Sequence, residues 1–211
     1  STPSSYWYIV GTSVILALVP TLAMDIDLRT AEVFAQTGKF SEARHWWWIE
    51  LINLYVPALF RAGIFVSLAI WLVALFSKRI KHWRKPLAFI VLAGALGPGL
   101  VVNAVFKEHW QRARPYQVEE FGGSQQFTRA GMITDQCQNN CSFVSGHVAC
   151  GFFLTSLLLV TRRRRVWAVA GVASGLIIGL ARMADSAHWL SDVLWACPIT
   201  LVTSWLVWKV V

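Results

Sequence analysis

The amino-acid sequence predicts an all-α, polytopic membrane protein, a single domain of six transmembrane helices over residues 1–211. Three observations lead there. The 211-residue chain is 56% hydrophobic and 14% charged, with a mean hydropathy of +0.52, more apolar and less charged than a soluble domain. Apolar runs near the roughly 20 residues that cross a bilayer recur at 6–24, 51–77, 87–106, 143–161, 166–183 and 189–211. Basic residues gather in two short connections: Lys78, Arg79, Lys81, Arg84 and Lys85 after the second run, and Arg162, Arg163, Arg164 and Arg165 after the fourth. Few residues remain for another domain.

The first run lacks a basic leader and a small-residue cleavage site, so it reads as a span rather than a cleaved signal. The next stretch, 25–50, is an outer loop. Trp46, Trp47 and Trp48 read as an interfacial anchor, and with Phe34 and Phe40 they suggest a helix lying on the membrane surface. Span two is long enough to tilt, and it carries Arg61, an ionisable residue where one usually marks function. A snorkelling or internally paired arginine is the rival reading. Span three holds Gly94, Gly97, Pro98 and Gly99, which predict a kink or a close helix approach, and its helix is expected to run past Phe106 to Pro115. The polar segment 116–142 reads as a loop suited to substrate selection or to a lid. In span five, Gly171, Gly175 and Gly179 recur every four residues, a packing pattern.

The net charge of +8 does not point to nucleic acid, because the basic residues flank apolar runs and no groove-binding module surrounds them. By the positive-inside rule both basic connections and both termini lie in the cytoplasm. All eleven acidic residues then fall on the opposite face. The basic blocks could also bind anionic lipid heads. Of the four cysteines, Cys150 and Cys197 lie in apolar spans and read as packing thiols. Cys137 and Cys141 share the polar outer loop, where a disulfide is favoured over half of a zinc site.

Chemistry concentrates in three strings on that outer side. Lys107 and Arg114 are seven apart, so a continuous helix would put both on one face as an oxyanion clamp, Arg114 adding a bidentate fork. Ser145 and Gly146 precede an apolar helix whose N-terminus would offer free N–H groups to an anion. His147 at that helix start could protonate a leaving oxygen. His188 and Asp192 are four apart, so on a helix the carboxylate could fix the imidazole tautomer and leave the other nitrogen free to attack. Arg182 precedes them and can neutralise phosphate charge, with Asp185 as an alternative partner. Each string has a blander reading, respectively interfacial basic residues, an N-cap serine with an interfacial histidine, and a paired helix-end aspartate.

Together they resemble the type 2 phosphatidic acid phosphatase family, whose signatures are K-x6-R-P, P-S-G-H and S-R-x5-H-x3-D. Here they read Lys107 to Arg114-Pro115, Val144-Ser145-Gly146-His147, and Ala181-Arg182 through His188 to Asp192. Val144 and Ala181 depart from the pattern, which puts one serine contact in doubt. The resemblance implies that His188 attacks phosphorus to form a phosphohistidine, that Asp192 orients it, and that His147 acts as acid and then base. Lys107, Arg114, Ser145, Gly146 and Arg182 would hold the phosphoryl oxygens. No metal and no cofactor are expected, since three cations and backbone N–H groups supply the stabilisation. The implied activity is a membrane lipid phosphatase. The string from Cys141 to His147, with Cys137 before it, resembles bacterial lipid A phosphatases. Phosphatidylglycerophosphate phosphatase, undecaprenyl pyrophosphate phosphatase and a lipid phosphotransferase are alternatives within the family. A lipid transporter is the alternative outside enzymology.

Overall fold

The computed structural model describes residues 2–36 and 38–211. The chain runs through α1 (Ser4–Leu22), α2 (Asp25–Glu32), α3 (Trp47–Phe76) and α4 (Arg84–Gly94). Helix α4 widens into a π-helix over Ala95–Lys107 and closes with one turn, α5 (Glu108–Trp110). After a long loop come α6 (Gly146–Ser156), α7 (Arg164–Ala184) and α8 (Leu190–Val210). Among the described residues the remaining extended pairings are isolated bridges, Gln36 with Lys39 and Val118 with Gln125.

Among the described residues, five stretches are long and apolar enough to cross a membrane: Ser4–Leu22, Trp47–Phe76, Lys81–Gln117 (continuously helical only as far as Trp110), Arg164–Ala184 and Leu190–Val210. The fourth apolar run instead forms the shorter helix Gly146–Leu159. Its first residues, Phe143 to Ser145, stay outside the helix because the chain there crosses the bundle's end, anchored by the Phe143 ring against Phe106 at 5.7 Å between centroids. Helix α6 is nearly enclosed, packing on α7, α8 and the π-helix.

Spanning helices that follow one another along the chain alternate in direction, whereas α6 and α8 pack in parallel, Ser156 donating to Ser204 at 2.8 Å. Tyr6 donates to the Leu201 carbonyl at 2.7 Å and Trp195 to Thr21 at 2.9 Å, so α1 and α8 are antiparallel. Helix α7 meets α6, and at Gly179 α8, where glycines replace side chains. A Cβ on Gly171 would strike Thr155, one on Gly175 the Phe152 ring, and one on Gly179 a Val193 methyl. The glycine repeat of span five is therefore a packing seam, as its spacing predicts. The basic connection has a structural use as well. Arg84 donates to the Ala74 and Leu75 carbonyls at 2.7 and 2.8 Å, satisfying the end of α3.

Helix α3 is peripheral, with only 6% of its apolar window buried against 56% for α8, and it presents Leu59, Phe65 and Phe76 outward. The π-helix has a cause in Pro98, which lacks an N–H and clashes with the preceding turn. Asn103 donates to the Pro98 carbonyl at 2.7 Å.

Two sequence expectations fail here. The helix of span three does not reach Pro115. Gln111 takes a left-handed conformation (φ 48°), and the chain continues extended to Arg114. The expected surface helix around Phe34 to Trp48 does not form: the short helix α2 ends at Glu32, and a single 3-10 turn spans Glu42–His45. Phe40 stacks on Tyr116 at 4.1 Å, and Trp47 and Trp48 begin α3.

Candidate active site

At one end of the bundle lies a polar cavity of about 310 Å³. Lys107, Arg114, His147, Arg182 and His188 all line it. They come from the end of the π-helix, the extended segment after it, the first turn of α6, the last turn of α7 and the residue before the α8 N-cap. Lys107, Arg114 and Arg182 are each less than 10% exposed, so three cations share one low-dielectric enclosure. Such a group demands an anion.

The clamp is built differently from a single helical face. Arg114 sits beyond the helix break, and a loop rather than a shared face brings the two cations together. Lys107 Nζ donates to Asn140 Oδ1 at 3.1 Å, and Arg114 donates through Nε and Nη2 to the Asn140 carbonyl at 3.1 and 2.7 Å. Asn140 has a left-handed backbone (φ 49°) inside the loop closed by a Cys137–Cys141 disulfide. Both cysteines are therefore committed to each other rather than to a zinc site. Among the described residues no group of three or more His, Cys, Asp or Glu side chains is placed to hold a metal ion.

His188 is 2% exposed. Its Nδ1 lies 2.8 Å from the Ser142 carbonyl, an acceptor only, so Nδ1 carries the hydrogen and Nε2 keeps its lone pair. Asp192 Oδ2 is farther away, 3.7 Å from Nδ1. The predicted helical pairing of His188 with Asp192 is thus indirect. His188 precedes α8, and the Asp192 carboxylate accepts from the Trp189 N–H at 3.0 Å and from the Ser142 hydroxyl. Asp192 caps α8 and fastens Ser142, whose carbonyl sets the imidazole. Burial holds the His188 pKa well below the usual histidine value, and Arg114 and Arg182 push in the same direction against Asp192. The ring is neutral, the state a nucleophile needs.

His147 is half-buried, its Nε2 3.2 Å from the Asn53 carbonyl. Arg182 Nη1 donates to Asn53 Oδ1 and, at 2.8 Å, to Asp185 Oδ2. Asn53 Nδ2 in turn donates to Asp185 at 3.0 Å. Asn53 thus joins His147 to Arg182 and lines the cavity itself. Asp185 partners Arg182, not His188. Ser145 is the N-cap of α6 and is fully buried, and Gly146 opens the helix. A Cβ on Gly146 would lie 3.0 Å from Asn103 Oδ1, so any larger residue there would require that amide to shift. Among the described residues, the buried donors without a protein partner include the Ser145 hydroxyl and Arg182 Nε, alongside the Thr128, Thr155 and Thr200 hydroxyls elsewhere. Unpaired buried donors cost free energy, and Ser145 and Arg182 both belong to the set expected to hold phosphate.

A second cavity, about 390 Å³ and mostly apolar, adjoins the first between α3 and the π-helix and shares Lys107 and His147 with it.

A family model described as the PAP2 superfamily matches residues 86–211. The chain belongs to the PAP2 superfamily. Three curated relatives are named lipid A 4'-phosphatase. One from Francisella tularensis subsp. novicida (strain U112) is 41% identical over 139 residues, covering 64% of this chain and 63% of the relative. One from Rhizobium leguminosarum is 44% identical over 100 residues, covering 46% and 43%. One from Rhizobium etli is 45% identical over 100 residues, covering 46% and 39%. The matches thus span less than two thirds of each relative's length. No solved structure matches the chain.

The PAP2 match begins at residue 86, so α1 to α3 lie outside it. They nevertheless supply Asn53 and a buried carboxylate, Asp27. Arg112, which is 1% exposed, donates to Asp192 Oδ1 at 2.6 Å, to Ser191 Oγ at 2.8 Å, to Asp27 Oδ2 at 2.9 Å and to the Thr128 carbonyl at 3.0 Å. Asp27 also accepts from the Ser191 N–H and hydroxyl. The motif reading missed Asn53, Asp27, Arg112, Ser142 and Asn140. Asn53 carried a signal, being an amide inside an apolar run. For Asp27 nothing in the local sequence set it apart from other acids of the outer loop. Of the two departures from the signatures, Val144 is fully buried in the main core, and Ala181 packs with Ala43, Ile49 and Ala184. The methyl of Ala181 therefore sits in an apolar cluster.

Proposed function

We propose that this chain is a metal-independent lipid phosphatase of a bacterial inner membrane, working at the periplasmic face. One observation carries the reading: four cations (Lys107, Arg114 and Arg182, with the more exposed Arg44) and two imidazoles from separate segments line a single cavity, with unpaired buried donors on Ser145 and Arg182. In this reading Lys107, Arg114, Arg182, Ser145 and the first N–H groups of α6 hold the phosphoryl oxygens. His188 Nε2 attacks phosphorus, and the bond to the lipid oxygen breaks as His147 gives that oxygen a proton. The phosphohistidine that forms is attacked by water, His147 takes the proton, and the P–N bond breaks to release inorganic phosphate. Asp192 and the Ser142 carbonyl keep the hydrogen on Nδ1 throughout. The adjoining apolar cavity, opening between α3 and the π-helix, suits the lipid's chain. Lipid A is the proposed substrate, supported by the names of the relatives and by the Cys137–His147 segment. The alternating direction of the helices and the basic ends of α3 and α7 support a periplasmic site.

The test is phosphate release by purified protein from lipid A, phosphatidylglycerophosphate and undecaprenyl pyrophosphate. His188→Ala should lower kcat by on the order of 10⁴-fold or more on whichever lipid the wild type turns over. Activity near wild type in that variant would remove the nucleophile assignment, and no phosphate release from any of the lipids by the wild type would favour the transporter reading.

A further inference from the structure

Arg61 is not explained by the phosphate chemistry. It lies midway along the 30-residue helix α3, fourteen residues beyond Trp47, or about 21 Å at 1.5 Å per residue. An arginine side chain cannot snorkel that far to water. Among the described residues its guanidinium makes no hydrogen bond or ion pair, although Arg112, Arg114 and Arg182 make several each. It lines the apolar cavity among Phe60, Ile64, Pro98 and Gly99, with Cys150 across the groove. A guanidinium at that depth is costly unless an oxygen meets it.

We propose that Arg61 is a specificity residue that reads the acyl linkage of the bound lipid, donating hydrogen bonds to an ester or amide carbonyl at the head of the chain. The inference rests on the lipid reading above. Position decides between a carbonyl and a second phosphate. The apolar cavity meets the polar one at Lys107 and His147 and extends along α3 to Phe65. Arg61 is eight residues along α3 from Asn53, about 12 Å farther from the phosphate cavity. A second head-group phosphate would stay near the aqueous end, whereas the linkage carbonyls of a lipid follow its phosphate down the chain. Because side chains lean toward the helix N-terminus, the guanidinium reaches back from residue 61 toward those carbonyls. The wide π-helix and Gly99, where an added Cβ would meet only a backbone oxygen at 3.6 Å, leave room for a chain beside it.

The experiment measures binding, so it does not depend on turnover. His188→Ala protein in detergent, with and without Arg61→Leu, is titrated by native mass spectrometry with two probes, ester-linked dioleoyl phosphatidic acid and its ether-linked di-O-oleyl analogue. With Arg61 present the ester probe should bind about tenfold more tightly, the scale of one hydrogen bond from a charged donor. In the Arg61→Leu protein the preference should vanish, and Arg61→Gln, which keeps an N–H donor, should restore part of it. Equal binding of the two probes with Arg61 present, or a preference that survives Arg61→Leu, overturns the proposal. A melting temperature equal to that of the parent separates lost recognition from lost folding. Wild-type turnover on the lipid panel is run alongside. If no lipid loses phosphate, the phosphatase reading falls while the ester-to-ether comparison still gives its own answer.

Discussion

Replacing Arg112 with methionine would leave two buried carboxylates without their shared counter-ion. Asp27 is 1% exposed and Asp192 fully buried, and Arg112 bonds both through its two terminal nitrogens. Breaking a buried ion pair from one side costs about 3–5 kcal/mol. Part of that is offset here. Asp27 keeps the Ser191 N–H and hydroxyl, Asp192 keeps Trp189 N–H and the Ser142 hydroxyl, and methionine refills the space beside Phe127 and Trp189. Two carboxylates are orphaned rather than one, so a loss of about 4 kcal/mol is expected, close to a thousandfold in the unfolding equilibrium. Adding Asp27→Asn removes one of the uncompensated charges and should recover about 1–2 kcal/mol. The assay is SDS-driven unfolding in mixed micelles followed by tryptophan fluorescence. An Arg112→Met protein within about 1 kcal/mol of wild type would refute the idea that this guanidinium holds the first outer segment and α8 together.

Two further outcomes follow from the site. Because burial keeps His188 neutral well below the usual histidine pKa, kcat/KM should show no loss of the nucleophile as pH falls through about 6.5. An acid limb centred there that disappears in no other histidine variant would contradict this. The same burial sets a stability trend. Below about 6.5 the unfolded chain binds a proton at this histidine that the folded chain refuses, so stability falls as pH drops. The loss grows as pH falls further below that value, and His188→Gln should abolish that component in unfolding titrations. Reduction of Cys137–Cys141, or serine at both positions, frees the loop that delivers Asn140 to Lys107 and Arg114. KM for the lipid should rise about tenfold with a smaller change in kcat. An unchanged kcat/KM in protein whose two thiols are verified by mass spectrometry would show that the cations need no such support.

Much of this protein was legible before folding because a bilayer is a severe solvent. It forces backbone groups into helices and makes each ionisable residue costly. The apolar runs, the glycine seam at Gly171 to Gly179, and the cluster of Lys107, Arg114, His147, Arg182 and His188 all carry that mark. The shorter fourth helix was not legible, because hydropathy measures burial and cannot tell burial in protein from burial in lipid. Helix α6 is buried in protein.

The sequence alone determined which groups could do chemistry and that they lie at one end of an apolar bundle. Spacing, however, says nothing about contacts made across the fold. A left-handed turn at Gln111 replaced the predicted helical clamp with a loop-built one, and a serine carbonyl took the hydrogen bond expected for Asp192. Asn53 joins His147 to Arg182 across 94 and 129 residues, and Asp27 reaches Ser191 across 164. Hydrogen bonds act over about 3 Å of space regardless of separation along the chain, so only the tertiary structure could select these partners.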